Sequence, residues 1–260
     1  MAIRLSLLAF CLLSLPLWAA PVVDRPRLVL IIDDVGSSLE KGRAALALPG
    51  PITYAILPFR TYSRELSQEA SAQGKEVILH APMANTRQLE LGPGGLTPAQ
   101  TREQLQQQLS DSLDAVPEAI GVNNHMGSLL TQLDEPMGWV MEVIHKRGLF
   151  FIDSRTTAST RAMSIAQAAG VPSAERNVFL DNDRSIEAIT GEFRRAVELA
   201  LNEGRAVVIG HPYPETLAVL QTLLPTLGEL GIVQMSAAAY LDEIEDAKRR
   251  VIARQSAASH

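Results

Sequence analysis

The stretch Arg27-Leu-Val-Leu-Ile-Ile-Asp33-Asp34-Val-Gly36 decides how the rest of the chain is read. Leu28 to Ile32 form an unbroken apolar run, the pattern of a strand buried on both faces. The run stops at two adjacent carboxylates and Gly36. Ser37-Ser-Leu-Glu40 then has the spacing of a capping box and opens a helix. Two acids therefore stand where a parallel strand hands over to its helix, the edge at which α/β sheets and barrels bind ligands. Neighbouring strand residues point to opposite faces, so Asp33 and Asp34 need not share a role. One could hold a metal while the other takes a proton. Asp-x-Gly after a strand is also ordinary turn chemistry, so the pair alone decides nothing.

The strands that follow repeat the pattern. Ile52 to Leu57 is a run stopped by Pro58, and Lys75 to His80 ends in a histidine. Ala119 to Val122 enters Asn123-Asn124-His125-Met-Gly127. Gly148 to Asp153, Asn177 to Asp181 and Arg205 to His211 are further runs of the same kind. Helical segments lie between them, among them one opened by an apparent capping box at Thr97-Pro98-Ala-Gln100. Seven or eight alternations of strand and helix argue for a parallel α/β barrel or a doubly wound sheet. No G-x-G-x-x-G follows the first strand and no P-loop occurs, so nucleotide binding has no support.

Composition narrows the classes. The 260 residues are 47% hydrophobic and 20% charged, enough for a large core. A net charge of −6 offers no basic footprint for nucleic acid. Residues 1–20 read as an export signal, with Arg4, an apolar Leu5 to Leu17 and small residues at Ala19-Ala20. The expectation is a periplasmic protein with no integral membrane domain after cleavage, an uncleaved anchor being the alternative. Cys11, the only cysteine, falls inside that segment, so neither disulfides nor thiolate chemistry enter the reading. Residues 26–242 read as one barrel, and 243–260 as the end of a helix and a flexible tail.

Six apolar runs end in reactive side chains: Asp33 with Asp34, His80, His125, Asp153, Asp181 and His211. In register they would line the mouth of a barrel. Imidazoles and carboxylates without thiols are the ligand set for Zn²⁺ or another divalent metal. His145 sits in a last helical turn beside Lys146 and Arg147, which the helix dipole explains.

Five segments carry a resemblance. Ile31-Ile-Asp-Asp-Val-Gly36, Leu79-His-Ala-Pro-Met83, Gly121 to Ser128, Phe151-Ile-Asp-Ser-Arg-Thr156 and Gly210-His-Pro-Tyr-Pro214 together resemble the divergent branch of the polysaccharide deacetylases. These are carbohydrate esterases that remove acetyl groups from glycans. The resemblance implies a distorted, seven-stranded (β/α) barrel. It implies Asp33 as catalytic base, Asp34 as metal ligand and His211 as general acid. The standard family places its two metal histidines four residues apart. That spacing puts Ala84 after His80, so His125 becomes the candidate third ligand. Asp153 is expected to orient His211, Asn124 to stabilise an oxyanion, and Asn123 and Arg155 to bind sugar hydroxyls or a carboxylate. Asp181 reads as part of a loop and helix cap and is left out. The implied function is zinc-dependent deacetylation of an acetylated envelope glycan or peptidoglycan fragment. The alternative is an inactive module that binds glycan or an envelope protein.

Overall fold

The computed structural model describes residues 25–258; the signal-like segment 1–20 lies outside the described residues. The strands are β1 (Arg27–Val35), β2 (Thr53–Ile56), β3 (Glu76–Met83), β4 (Gly121–Met126), β5 (Phe150–Asp153), β6 (Ser173–Glu175), β7 (Val178–Phe179), β8 (Arg205–Gly210) and β9 (Val233–Met235). Between them run α1 (Leu39–Leu46), α2 (Ser63–Ala72), α3 (Arg102–Ala115), α4 (Asp134–Lys146), α5 (Ala162–Ala168), α6 (Ile186–Glu203) and α7 (Pro214–Leu223). Helix α8 (Ala237–Ala258) closes the chain.

All described ladders are parallel, in the order β6-β5-β4-β3-β2-β1-β8-β7, with β9 on β1. The sheet curls into a barrel that no ladder closes between β6 and β7 among the described residues. The described strands number nine where the resemblance implied seven, and three of the nine are very short. β6 and β7 have three and two residues, and β9 has three. β9 pairs with Arg27 to Val29, below the point where β2 joins β1 at Ile31.

Two cores follow from the two faces of the strands. Leu28, Leu30 and Ile32 of β1 belong to the larger core, with Leu66, Leu105, Val140, Ile189 and other helix residues. Val29 and Ile31 belong to the inner core, with Ile78, Ile152, Val207 and Ile209. Ala237, Tyr240 and Leu241 of α8 fill that inner core beside Met235 of β9. Full burial of each large apolar side chain contributes roughly 1.5–3 kcal/mol, so a cysteine-free fold is held by its core.

Local boundaries moved in several places. Helix α1 is capped by Ser38, whose Oγ accepts from the Lys41 amide, so the box expected at Ser37 and Glu40 does not form. Strand β3 continues past His80 to Met83. Helix α3 starts at Arg102, with its capping box made by Thr101 and Gln104 instead of Thr97 and Gln100. Gln100 Oε1 instead accepts from the Thr97 amide at 2.7 Å in a turn before the helix. Helix α8 runs on to Ala258, within the segment read as helix end and tail. Among the described residues no helix is long and apolar enough to cross a membrane.

Candidate metal centre

Strand parity builds the floor of the site. Asp33 continues the inward series Val29 and Ile31, His80 follows Ile78, and His211 follows Val207 and Ile209. Register then brings the inward ends level. Ile32 pairs with Gly210, so Asp33 and His211 are the next step of that ladder, while His80 pairs with Asn123. Asp33, His80 and Asn123 are all buried.

Asp34 should face away from this floor, because it is adjacent to Asp33 on one strand. Its backbone instead turns left-handed, with φ +58°, and the β1–β2 register slips between Ile32 and Val35. That kink brings the Asp34 carboxylate round to the same mouth. A non-glycine residue in this region costs on the order of 1–3 kcal/mol and persists where the surroundings enforce it. Met126, just after His125, and Arg155, after β5, share the conformation, with φ +54° and +48°.

The result is a converging donor set. His125 Nδ1 lies 2.9 Å from Asp34 Oδ1, and His80 Nε2 lies 3.3 Å from the same oxygen. The two ring nitrogens are 3.1 Å apart. Zn²⁺ bonds of about 2.0–2.1 Å at tetrahedral angles place neighbouring donors about 3.3 Å apart. Asp34 Oδ1 is buried and has no aligned hydrogen-bond donor despite these neighbours. Donor atoms that crowd one point without proton alignment fit ligands of a shared cation. Asp34, His80 and His125 thus form a group able to hold a metal ion. The chemistry of the set, two imidazoles and a carboxylate with no thiol, suits a divalent ion.

Asn123 locks the floor. Its Nδ2 donates to Asp33 Oδ1 at 2.7 Å, and its Oδ1 accepts from His80 Nδ1 at 2.7 Å. Donation from Nδ1 leaves the His80 lone pair on Nε2, where a metal would sit. The electrostatics favour positive charge here. Burial alone would lower the His80 pKa, but Asp33 and Asp34 outweigh it and raise it. Burial likewise works against the Asp34 carboxylate, yet the His125 and His80 rings crowded against it hold it far below the usual range. Asp33 goes the other way: burial pushes its carboxyl up despite His80, His211 and Asn123.

His211 stands across from this group, its Nε2 3.8 Å from Asp34 Oδ2. The expectation that Asp153 orients it fails. Asp153 follows Phe151 on the outward face of β5, and it accepts instead from the Arg155 amide and the Thr160 hydroxyl, both at 2.8 Å. The orienting acid is Asp181. Its Oδ1 accepts from His211 Nδ1 at 2.9 Å, and its Oδ2 accepts from the His211 amide at 2.7 Å and Thr216 Oγ1 at 2.8 Å. Burial would lower the His211 pKa, but the Asp181 bond and the charges of Asp34, Asp181 and Asp33 push it up to about 9.

The three expected substrate residues are spent elsewhere. Asn123 is wholly buried between Asp33 and His80. Asn124 Nδ2 donates to Met126 O at 2.7 Å and its Oδ1 accepts from Ser154 N at 2.9 Å, and the side chain is buried and does not line the cleft. Arg155 pairs with Glu175 at 2.8 Å, off the cleft. Replacing Asn124 by Leu strands the buried Ser154 amide at about 1–3 kcal/mol, while Met126 O keeps its bond from Thr156 Oγ1. The expected outcome is a clear drop in melting temperature by calorimetry, with metal stoichiometry retained at temperatures where the variant is folded.

An open cleft of 480 Å³ leads to the centre, lined by Asp34, His125, Gly36 to Ser38, Lys41, Leu57, Arg60, Pro212 and Tyr213. Residues 30–241 match the model of the divergent polysaccharide deacetylases. The chain belongs to this family. It is 36% identical over 220 residues to an uncharacterized protein of Haemophilus influenzae, covering 85% of this chain and 79% of that one. It is also 36% identical over 241 residues to the uncharacterized Escherichia coli protein YibQ, covering 92% and 74%. Among solved structures, the uncharacterized protein ATU2773 of Agrobacterium tumefaciens superposes with a TM-score of 0.80 at 22% identity, over 83% of this chain and 89% of that one. The Bacillus subtilis peptidoglycan deacetylase PdaC gives 0.54 at 12% identity, over 89% and 97%. These structural likenesses establish the deacetylase-type fold, and the activity of this family member is argued from its site.

Proposed function

We propose that this deacetylase-family chain is a metal-dependent hydrolase that removes acetyl groups from an envelope glycan. The observation that carries this reading is the convergence of Asp34, His80 and His125 between a buried Asp33 and an Asp181-oriented His211. Asp34, His80 and His125 would hold the ion, and the donor set favours Zn²⁺. When bound, such an ion supplies a fixed positive charge and lowers the pKa of a coordinated water toward about 7.

The side chains supply the proton transfers. Asp33 Oδ1 is occupied by Asn123, so Oδ2, which faces His80 Nε2 at 3.7 Å, is the oxygen left to take the proton of the attacking water. Its raised pKa makes it a better base than a solvated carboxylate. The water oxygen bonds to the acetyl carbon, and the bond from that carbon to the sugar nitrogen or oxygen breaks. His211, its Nδ1 hydrogen bonded to Asp181, directs Nε2 toward the site and gives its proton to the leaving atom. The products are acetate and a free amine or hydroxyl. The export reading of residues 1–20 supports a periplasmic protein and an envelope glycan or peptidoglycan fragment as substrate.

The absence of a histidine at Ala84 argued for a binding module without turnover. His125 within 2.9 Å of Asp34 Oδ1 supports the hydrolase instead. The test is zinc titration by calorimetry together with acetate release from chitooligosaccharides and peptidoglycan fragments. Stoichiometric zinc with acetate release supports the hydrolase; zinc without release from any of these glycans refutes it. His125→Ala is expected to weaken zinc binding by at least about a hundredfold, more than loss of an outer partner, because it removes one of three ligands. Undiminished affinity would exclude His125 as a ligand.

A further inference from the structure

Arg60 is an arginine without an anion. Arg147 meets Asp114 and Arg155 meets Glu175, both at 2.8 Å, and Arg176 donates to the Ser154 and Arg155 carbonyls. Among the described residues Arg60 meets no carboxylate, and its Nε is buried with no hydrogen-bond partner. Its position is nonetheless built. The Arg60 amide donates to Ser63 Oγ at 3.0 Å, which fixes the loop before α2. Its guanidinium lies against Gly92, where an added Cβ would come within 2.5 Å of Nη2. The 85–96 loop therefore makes room for this side chain.

Arg60 lines the same cleft as Asp34 and His125, and so does Lys41, which also lacks an ion-pair partner among the described residues. The single carboxylate on the cleft wall is Asp34, and the metal centre claims it. The turn Gly36 to Ser38 adds the positive end of α1, whose Ser38 caps it. In a chain of net charge −6, this cleft concentrates cations.

We propose that Arg60, supported by Lys41, binds a carboxylate on the glycan, so that the substrate is an acidic sugar and not a neutral chitin-type chain. The inference rests on the hydrolase reading and names its substrate class. A cleft of 480 Å³ holds a small ligand, which sets the carboxylate on the acetylated sugar or its neighbour. Arg matches a carboxylate with two parallel N–H donors, a geometry Lys does not reproduce. A lactyl ether and a uronic acid offer the same group.

The test uses zinc-loaded full-length protein and three disaccharides: one with N-acetylmuramic acid, one with an N-acetylhexosaminuronic acid, and neutral diacetylchitobiose. Binding by calorimetry is measured beside acetate release. The expected result is at least tenfold tighter binding of one acidic disaccharide than of diacetylchitobiose. The preferred acid identifies the source of the carboxylate. Converting it to its methyl ester should abolish the advantage. Arg60→Gln should erase the preference through KM, and Arg60→Lys should restore only part of it, with melting curves confirming that both fold. Equal binding of acidic and neutral disaccharides overturns the proposal, as does a preference that survives Arg60→Gln. Arg60-dependent binding of the acid without acetate release keeps the subsite and sinks the hydrolase; release without acidic preference does the reverse.

Discussion

Asp33→Asn is expected to lower acetate release by roughly a hundred- to ten-thousandfold, the range of a lost general base, while zinc binding persists. The asparagine keeps the shape of the site. Its side-chain oxygen can still accept from Asn123 Nδ2, as Asp33 Oδ1 does now at 2.7 Å. His80 then remains held through Asn123, and its Nε2 stays beside Asp34. What disappears is a basic oxygen whose proton affinity burial has raised. Calorimetric zinc titration and an acetate assay on the same preparation separate the two effects. Parallel loss of zinc and turnover would mean that Asp33 is a ligand. Unchanged turnover would remove it from the chemistry.

The contrast between Asp33 and Asp34 explains what the sequence could and could not tell. Apolar runs ending in Asp or His announced a parallel α/β sheet with its site at one edge, and that is the architecture found. The short β6 escaped notice because Ser173-Ala-Glu175 carries no apolar run, and its one buried residue is Ala174. Within the site, the acids and imidazoles of β1, β3, β4 and β8 were legible because each follows an apolar run in the sequence, although β3 continues past His80 to Met83. Their orientation was not. These strands are apolar on both faces, so no alternation marks which residues point inward. Asp153 and Asp181 look equivalent in sequence, each closing a Phe-containing run. Parity turns Asp153 outward toward Thr160, while the two-residue strand β7 and the loop after it deliver Asp181 to His211.

The same ambiguity misread the asparagines. Asn123 and Asn124 are polar, adjacent and next to a histidine, the look of a substrate loop. In the fold one side chain bridges Asp33 and His80, and the other ties β4 to the Ser154 amide. The left-handed turn at Asp34 was equally invisible, since Asp is enriched in that conformation but still adopts it in a small minority of cases. Without it, adjacent carboxylates would face opposite sides, and base and ligand would not share a mouth.

Asp181→Asn carries the second large effect, and it tests the correction directly. Asp181 holds His211 through Nδ1 and the backbone amide, and Thr216 holds Asp181 in turn. An asparagine can offer its NH₂ to Nδ1, which favours the imidazole with its proton on Nε2 and removes the charge that keeps the ring cationic. Loss of the acid that orients a catalytic histidine costs up to about 10⁴-fold in kcat in a serine protease, a scale for the drop expected here. The pH behaviour has a defined sign. The His211 pKa is raised to about 9, from an unfolded value near 6.5. Its contribution to stability is therefore fully present below about pH 6.5 and is lost as pH rises through about 9. In Asp181→Asn this alkaline loss of stability should shrink, and the His211 imidazole should titrate at lower pH by NMR. Asp34 also contributes to the raised value, and a bound cation offsets that share, so the titration is read on metal-free protein. Asp153→Asn is the matched control: its carboxylate contacts the Arg155 amide and Thr160, so the His211 titration should stay where it is. A His211 pKa that moves with Asp153 and not with Asp181 would restore the arrangement first read from the sequence and discard the one described here.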